Sequence, residues 1–290
     1  IDNHVIPLLG TQTVISITRG DIDAFKRAVK SGKTAKREVV GPRAVKNVQG
    51  GPGAANRCLA LLSKMFNLAE KWDIRPDGSN PCRHIEKYKE HKLERFLSEA
   101  ELGKLAEVLN EAERTQTENQ NTTNAIRLLL FTGARSSEIL TLKWEYVDFE
   151  NQCLRLPDSK TGKKSIYLPP AALEILQSIT QNPDNLYVLQ GRNNKGHLIN
   201  LRKPWHRIRK EAGLNDVRIH DLRHSFASMA VAGGLSLPMI GALLGHTQAA
   251  TTARYAHLAA DPLKQAANIT GARIAAAMAG DSSKVKANGG

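Results

Sequence analysis

Six side chains in the second half of this sequence could do chemistry on a phosphate if the fold brought them together. Arg135 lies in Thr132-Gly133-Ala134-Arg135-Ser136-Ser137-Glu138-Ile139, and Lys160 in Asp158-Ser159-Lys160-Thr161-Gly162-Lys163. His220 and Arg223 share His220-Asp221-Leu222-Arg223-His224. His246 closes Leu243-Leu244-Gly245-His246, and Tyr255 closes Thr251-Thr252-Ala253-Arg254-Tyr255. A phosphodiester in reaction carries negative charge spread over its non-bridging oxygens. Guanidinium forks bind two such oxygens at once and stay charged, which suits Arg135 and Arg223. Preorganised cations of this kind usually supply the largest part of such catalysis. His246 can donate a further hydrogen bond. Tyr255 offers a hydroxyl whose ordinary pKa of about 10 nearby positive charge would lower. Taken singly, each residue has an ordinary explanation: a surface salt bridge, a solvated hairpin tip, a helix stop, the edge of a core. Only the ordered series makes chemistry the better reading.

The elements needed to position these residues are legible. Asn124 to Phe131 reads as a buried helix broken by Gly133, with Ser136 and Ser137 starting the next, so Arg135 falls between a break and a helix start. Cys153-Leu154-Arg155-Leu156 and Ser165-Ile166-Tyr167-Leu168 read as short strands, with Lys160 in the turn between them. Helices are expected at about 170–180, 200–212, 219–232 and 236–244. His220 and Arg223, three apart, then share a helix face.

Upstream, Gly50-Gly51-Pro52-Gly53 and Arg75-Pro76-Asp77-Gly78-Ser79-Asn80-Pro81 are breaker runs. Between them Leu59, Leu62, Met65/Phe66, Ala69 and Trp72 recur as one buried helix face requires. Ile22 to Lys30 reads as a shorter helix capped by Thr18 or Asp21. The segment 26–46 is dense in base (Lys26, Arg27, Lys30, Lys33, Lys36, Arg37, Arg43 and Lys46), a solvated loop or a phosphate-contacting arm; its charge density favours the arm. His84 to Arg95 reads as a polar linker. Ser98-Glu99-Ala100-Glu101 is a capping box that opens a new domain. The expected organisation is therefore a helical domain over 1–95 with its linker near 85–96, a second, mostly helical domain over 97–280, and a mobile tail over 281–290.

The chain has 290 residues, 41% of them hydrophobic and 5% aromatic, enough for a largely aliphatic core. A formal net charge of +13 favours polyanionic partners. Nucleic acid is the first, ribosomal RNA a variant of it, and an anionic membrane the second. Cys58, Cys82 and Cys153 are scattered, lack metal-ligand spacing and are odd in number, which fits a reducing cytosol. There is no apolar run long enough for a span and no leader pattern. The sequence opens on Ile rather than Met, the mark of a fragment or processed product.

The series closely resembles the tyrosine recombinase, or phage integrase, family. That family's signature is an arginine in T-G-x-R-x-x-E, a lysine on a β-hairpin, H-x-x-R, a histidine in L-G-H and a tyrosine soon after. Arg135, Lys160, His220, Arg223, His246 and Tyr255 supply it in order, over most of 97–260. The resemblance implies a mainly α fold with a small antiparallel β-sheet. It implies two domains that clamp duplex DNA: a helical core-binding domain, matched over 15–95 by pattern and placement only, and a catalytic domain. It implies Tyr255 as nucleophile forming a 3′-phosphotyrosyl link, Lys160 as general acid and His220 as proton acceptor. Glu138 is read as a support for the arginines, while Asp221 and His224 are left structural. No cofactor and no metal are expected, because cations rather than a carboxylate cluster surround these runs. The implied partners are double-stranded DNA, further copies of the chain in a tetramer on paired sites, and accessory DNA-bending proteins, with no membrane. The implied setting is cytoplasmic and nucleoid-associated, in a bacterium or phage. The apolar stripe Leu263, Ala266, Ile269, Ile274 and Met278 could dock on a neighbouring subunit or on its own domain. An N-terminal arm-binding domain is left open.

Three other readings compete. The chain could be a non-catalytic DNA-binding protein on the same scaffold, or a type IB topoisomerase-like relaxing enzyme. It could also be a metal hydrolase built on His220, His224 and His246, although Arg223 between the first two would repel a cation. If the basic surface contacts DNA phosphates, each contact releases counterions and affinity falls steeply with salt. Binding measured across a salt series should show that slope, and a flat response would contradict it.

Overall fold

The computed structural model describes residues 1–41, 44–90, 94–157, 162–258 and 262–278. The chain divides into two compact units, Ile1–Leu93 and Glu94–Gly290. The expected tail, 281–290, lies outside the described residues.

The first unit contains α1 (Val5–Leu9), α2 (Arg19–Lys30), β1 (Lys36–Gly41), β2 (Ala44–Val48) and α3 (Pro52–Lys71). The start of α2 is set by a reciprocal cap. The Asp21 amide donates to the Thr18 hydroxyl at 3.3 Å, and the Thr18 amide to the Asp21 carboxylate at 2.9 Å. Ile22, Phe25 and Val29 then line one face and pack with Ala55, Leu59, Leu62 and Phe66 of α3. Gly50 lets the chain pass tightly between the two helices, because a Cβ there would lie 2.2 Å from the Val29 carbonyl oxygen.

Three sequence expectations change in this unit. Phe66 is buried but Met65 is 41% and Trp72 63% exposed. Met65 falls beside the stripe set by Leu62, Phe66 and Ala69, and Trp72 caps the helix end. The basic segment is not a loop: beyond α2 it forms an antiparallel hairpin with Lys36 opposite Val48 and Val39 opposite Val45. Part of the segment read as a linker is tied down. Asn56 on α3 donates to the Tyr88 carbonyl and accepts from its amide, both at 2.8 Å.

The second unit contains α4 (Glu99–Arg114), α5 (Gln120–Thr132), α6 (Ser136–Leu140), β3 (Val147–Asp148), β4 (Cys153–Leu156), β5 (Lys164–Tyr167), α7 (Pro170–Ser178), α8 (Arg202–Glu211), α9 (Asp221–Ala232), α10 (Leu237–Leu244), α11 (Ala249–Thr252) and α12 (Pro262–Met278). The capping box opens α4 as the spacing requires: Ser98 accepts from the Glu101 amide and Glu101 from the Ser98 amide. The strands form one antiparallel sheet, β3-β4-β5, with Leu154 opposite Ile166. The main aliphatic core runs from Leu105, Ile126 and Leu129 through Ile139, Leu154 and Ile166 to Trp205 and Leu222. A smaller core gathers Ala227, Val231, Ile240, Leu244 and Tyr255. The chain is thus mainly α, with two small antiparallel sheets among the described residues.

Gly133 ends α5 in the left-handed conformation, at φ 60°. A Cβ there would meet Phe226 Cδ1 at 2.5 Å and Leu244 Cδ2 at 3.0 Å. Left-handed strain of about 1–2 kcal/mol and overpacking of about 1–3 kcal/mol should combine in Gly133→Ala. A fall of about 2–5 kcal/mol in unfolding free energy by denaturant titration is expected, and an unchanged midpoint would contradict this packing.

Candidate active site

The turn at Gly133 delivers Arg135 to the start of α6, where Glu138 holds it twice. The Arg135 amide donates to Glu138 Oε2 at 2.9 Å, and its Nη1 donates to Oε1 at 2.8 Å. Oε2 also accepts from Lys164 Nζ at 3.0 Å. Lys164 enters from β5 because strand alternation puts it on the same face as buried Ile166. Burial opposes ionisation of Glu138, but the Arg135 amide and the Lys164 ammonium outweigh it and hold the carboxyl below its usual range. Burial pulls Lys164 down, partly offset by Glu138.

Arg223, on the first turn of α9, is only 4% exposed. Its Nη1 donates to the Gly133 carbonyl and its Nη2 to the Leu244 carbonyl, each at 2.6 Å. Burial, then the neighbouring charge of Arg135, brings its pKa down to about 10, so it remains a cation at neutral pH. Because Leu244 ends α10, the same clasp brings in Gly245 and His246. Gly245 turns at φ 66°, and a Cβ there would lie 2.6 Å from Lys164 Cε. His246 Nδ1 lies 2.8 Å from the Thr252 hydroxyl. Burial, with Arg223 and Arg135 adding repulsion, drops the His246 pKa to about 4.

Tyr255 is 1% exposed, and burial raises its pKa. Its hydroxyl lies 2.7 Å from His224 Nδ1. The His220 ring stands edge-on to His224, with centroids 4.9 Å apart. Burial and then Arg223 depress the His220 pKa. Among the described residues the His220 ring makes no hydrogen bond, and Tyr255 leans on His224, not on the histidine expected to take its proton. Asp221 is structural: it is fully buried and accepts from the Arg218 amide at 2.7 Å and from Arg218 Nη2 at 2.6 Å.

Glu138 therefore ties Arg135 to Lys164, and Arg223 ties together the ends of α5 and α10, two residues before Arg135 and His246; His220 and His224 lie at the start of α9, and Tyr255 comes in from the turn that follows α11. Lys160 lies outside the described residues. The sequence reading passed over Lys164 and Thr252, and left His224 structural or, in the competing reading, a metal ligand. Alternation with Ile166 could have marked Lys164 as inward-facing, and the four-residue step from His220 marks His224 as its neighbour on the helix.

The basic residues of the first unit divide. Lys26 does not face outward: it is buried, its Nζ donates to the Glu86 carbonyl at 2.9 Å and it lies over the Tyr88 ring. This corrects its reading as a phosphate contact, because it sits among the apolar residues of α2. Arg27, Lys30, Lys33, Lys36, Arg37 and Lys46 are exposed, although Arg27 pairs with Asp23 and Lys36 with Glu38. Arg43 lies outside the described residues. A second basic feature escaped notice. Arg202, Lys203 and Arg209 of α8, with Arg218, Ser136 and Ser137, line an open cleft of about 910 Å³ beside Arg135. Among the described residues no group of His, Cys, Asp and Glu side chains is arranged to hold a metal ion, and no helix is long and apolar enough to cross a membrane.

The sequence pattern of the Phage integrase family matches residues 95–261, which contain this entire cluster. The chain belongs to that family. Among curated relatives of this integrase-family chain, the tyrosine recombinase XerA of Pyrococcus furiosus is 36% identical over 183 residues, 60% of this chain and 61% of the relative. The XerA of Saccharolobus solfataricus is 30% identical over 55% of this chain and 52% of the relative. The integrase-family chain thus spans about half to three fifths of the length of these relatives. A lambda integrase (75–356) dimer bound to a COC′ core site shares the fold. It has a TM-score of 0.63 and 18% identity over 87% of this chain and 84% of that one.

His224, like His246, is pushed down to about 4, burial being the main cause. In the unfolded chain these rings return to about 6.5. Between those values the unfolded state binds more protons, so stability is full above about 6.5 and falls as pH drops toward 4. Thermal melts at pH 7 and pH 5 should show this loss, and His246→Asn should lessen it, leaving the part due to His224. A pH-independent wild-type melting temperature across that window would contradict the buried neutral imidazoles.

Proposed function

We propose that this chain is a site-specific DNA recombinase that cleaves and rejoins double-stranded DNA through Tyr255. The observation that carries the reading is the clasp of Arg223 between the Gly133 and Leu244 carbonyls. It brings to one point the segments that carry Arg135, Arg223 and His246, three groups suited to one phosphate, and the turn that carries Tyr255 packs against α9 and α10. The family membership and the names of the relatives support it.

In this scheme Arg135 and Arg223 bind the non-bridging oxygens of the scissile phosphate. The Thr252 hydroxyl donates to His246 Nδ1, which leaves the ring proton on Nε2 for the same phosphate. The Tyr255 oxygen attacks phosphorus, and the bond from phosphorus to the 5′ oxygen breaks. A 3′-phosphotyrosyl link forms and a 5′-hydroxyl is released. Lys160 protonates the leaving oxygen, and His220 takes the tyrosine proton. Attack by a 5′-hydroxyl from a second strand reverses the step and rejoins the DNA without an external energy source. Glu138 supports Arg135.

The exposed cations of the first unit and the basic cleft beside Arg135 fit DNA backbone, where phosphate contacts give affinity and register but no sequence information. Exchange between two sites requires four copies, and exposed Ile274 and Met278 on α12 suit docking on a neighbouring copy. Accessory DNA-bending proteins and a cytoplasmic, nucleoid-associated setting in a bacterium or phage belong to the same reading.

A nicked duplex carrying a site selected from a randomised pool should trap a covalent protein–DNA adduct, in EDTA as well as without it. Tyr255→Phe should abolish the adduct, and Arg223→Gln should slow its formation by roughly 100-fold or more. Adduct formation by the phenylalanine variant would refute the assignment, and binding without cleavage by the wild type would favour a non-catalytic DNA-binding protein.

A further inference from the structure

Tyr255 presents a conflict that the proposed reaction leaves open. A nucleophile must meet a phosphate on a DNA surface, yet this ring is 1% exposed and packed with Ala227, Val231, Ile240 and Leu244. A buried phenol needs a hydrogen-bond partner. Among the described residues the one it has is His224, 4% exposed itself, at 2.7 Å through Nδ1. Phe96 closes the enclosure. Its ring stands edge-on to both, with centroids 6.4 Å from Tyr255 and 6.5 Å from His224. Phe96 is fixed in place because the next residue, Leu97, donates its amide to the Ser225 hydroxyl at 2.9 Å, one residue beyond His224.

Resting on the assignment of Tyr255 as nucleophile, we propose that His224 is a positioning residue that holds the Tyr255 hydroxyl in this enclosed resting place. The bond between them must break before the hydroxyl reaches DNA. His224 accepts at Nδ1 from the phenol, and Phe96 shields the pair from water. A bond made in the resting state and lost on the way to attack stabilises the ground state and slows the reaction. His220, edge-on to His224 one turn earlier on α9, stands where the freed hydroxyl can find its next partner. The two neighbouring imidazoles therefore divide the work, His224 retaining the phenol and His220 receiving its proton.

The consequence is measurable without DNA. In the full chain treated with tetranitromethane, peptide mass spectrometry reads nitration of each tyrosine. Tyr167, 67% exposed, serves as the internal standard. Wild-type Tyr255 should be protected relative to Tyr167. His224→Leu removes the acceptor and should raise Tyr255 nitration by roughly tenfold, the equilibrium change expected from one buried hydrogen bond. It should also speed single-turnover adduct formation on the nicked duplex. His224→Asn, whose amide can take the place of Nδ1, should restore both protection and the wild-type rate. Should the leucine variant not fold, His224→Gln, whose amide lies beyond the Nδ1 position, takes its place. Nitration of wild-type Tyr255 as fast as Tyr167, or continued protection in the leucine or glutamine variant, would overturn the proposal. So would slower adduct formation with nitration unchanged. Nitration reads the resting state alone, so an adduct formed by Tyr255→Phe would sink the assignment of the nucleophile while leaving the protection result intact.

Discussion

The guanidinium of Arg223 is removed from water and held by two main-chain carbonyls, those of Gly133 and Leu244. Both carbonyls lie at the ends of helices, where the backbone has acceptors that the helix itself does not use. A buried cation is costly unless it is bonded, so this clasp can exist only if α5, α9 and α10 meet at one point. Their meeting, in turn, decides where everything else goes. Arg135 follows Gly133 by two residues, His246 follows Leu244 by two, and His224 sits beside Arg223 on α9.

The local electrostatics follow from that convergence. Arg135, Arg223 and Lys164 face a single buried carboxylate, Glu138, which touches two of them directly. Positive charge left over in a poorly hydrated place depresses every neighbouring group that would gain a proton. Burial first, and this charge second, hold His246 and His220 below the usual imidazole pKa and bring Arg223, although still charged, low for a guanidinium. An anion entering such a place meets donors that need no reorganisation. The part of the shift that comes from the cations is offset when that anion arrives, so the same imidazoles become better bases once a phosphate is bound.

Much of this was legible in the residues. The capping pairs at Thr18 and Ser98, the break at Gly133 and the paired strands around Leu154 and Ile166 rest on local rules of backbone geometry, and local rules survive any tertiary context. Errors arose where burial depends on neighbours. Trp72 looked like a core residue and is exposed, because the stripe it continues ends with the helix. Lys26 looked like a phosphate contact and is buried, because α2 turns it toward the Glu86 carbonyl and the Tyr88 ring. The hairpin was hidden by its charge, since Lys36, Arg37 and Lys46 surround the β-branched Val39, Val40, Val45 and Val48 that favour strand, and these valines show no alternating pattern.

Residue order by itself determined the family, the residue types available for chemistry and their sequence along the chain, because each lies in a short run whose meaning is local. Which groups touch was decided only by the tertiary structure. Lys164 pairs with Glu138 across 26 positions, and His224, rather than its neighbour three residues before Arg223, meets Tyr255 across 31. The choice between two histidines one helical turn apart depends on how α9 is rotated about its axis against the turn that carries Tyr255. That rotation is set by the packing of Ala227, Val231, Ile240 and Leu244, a collective fit that the spacing of the histidines does not encode.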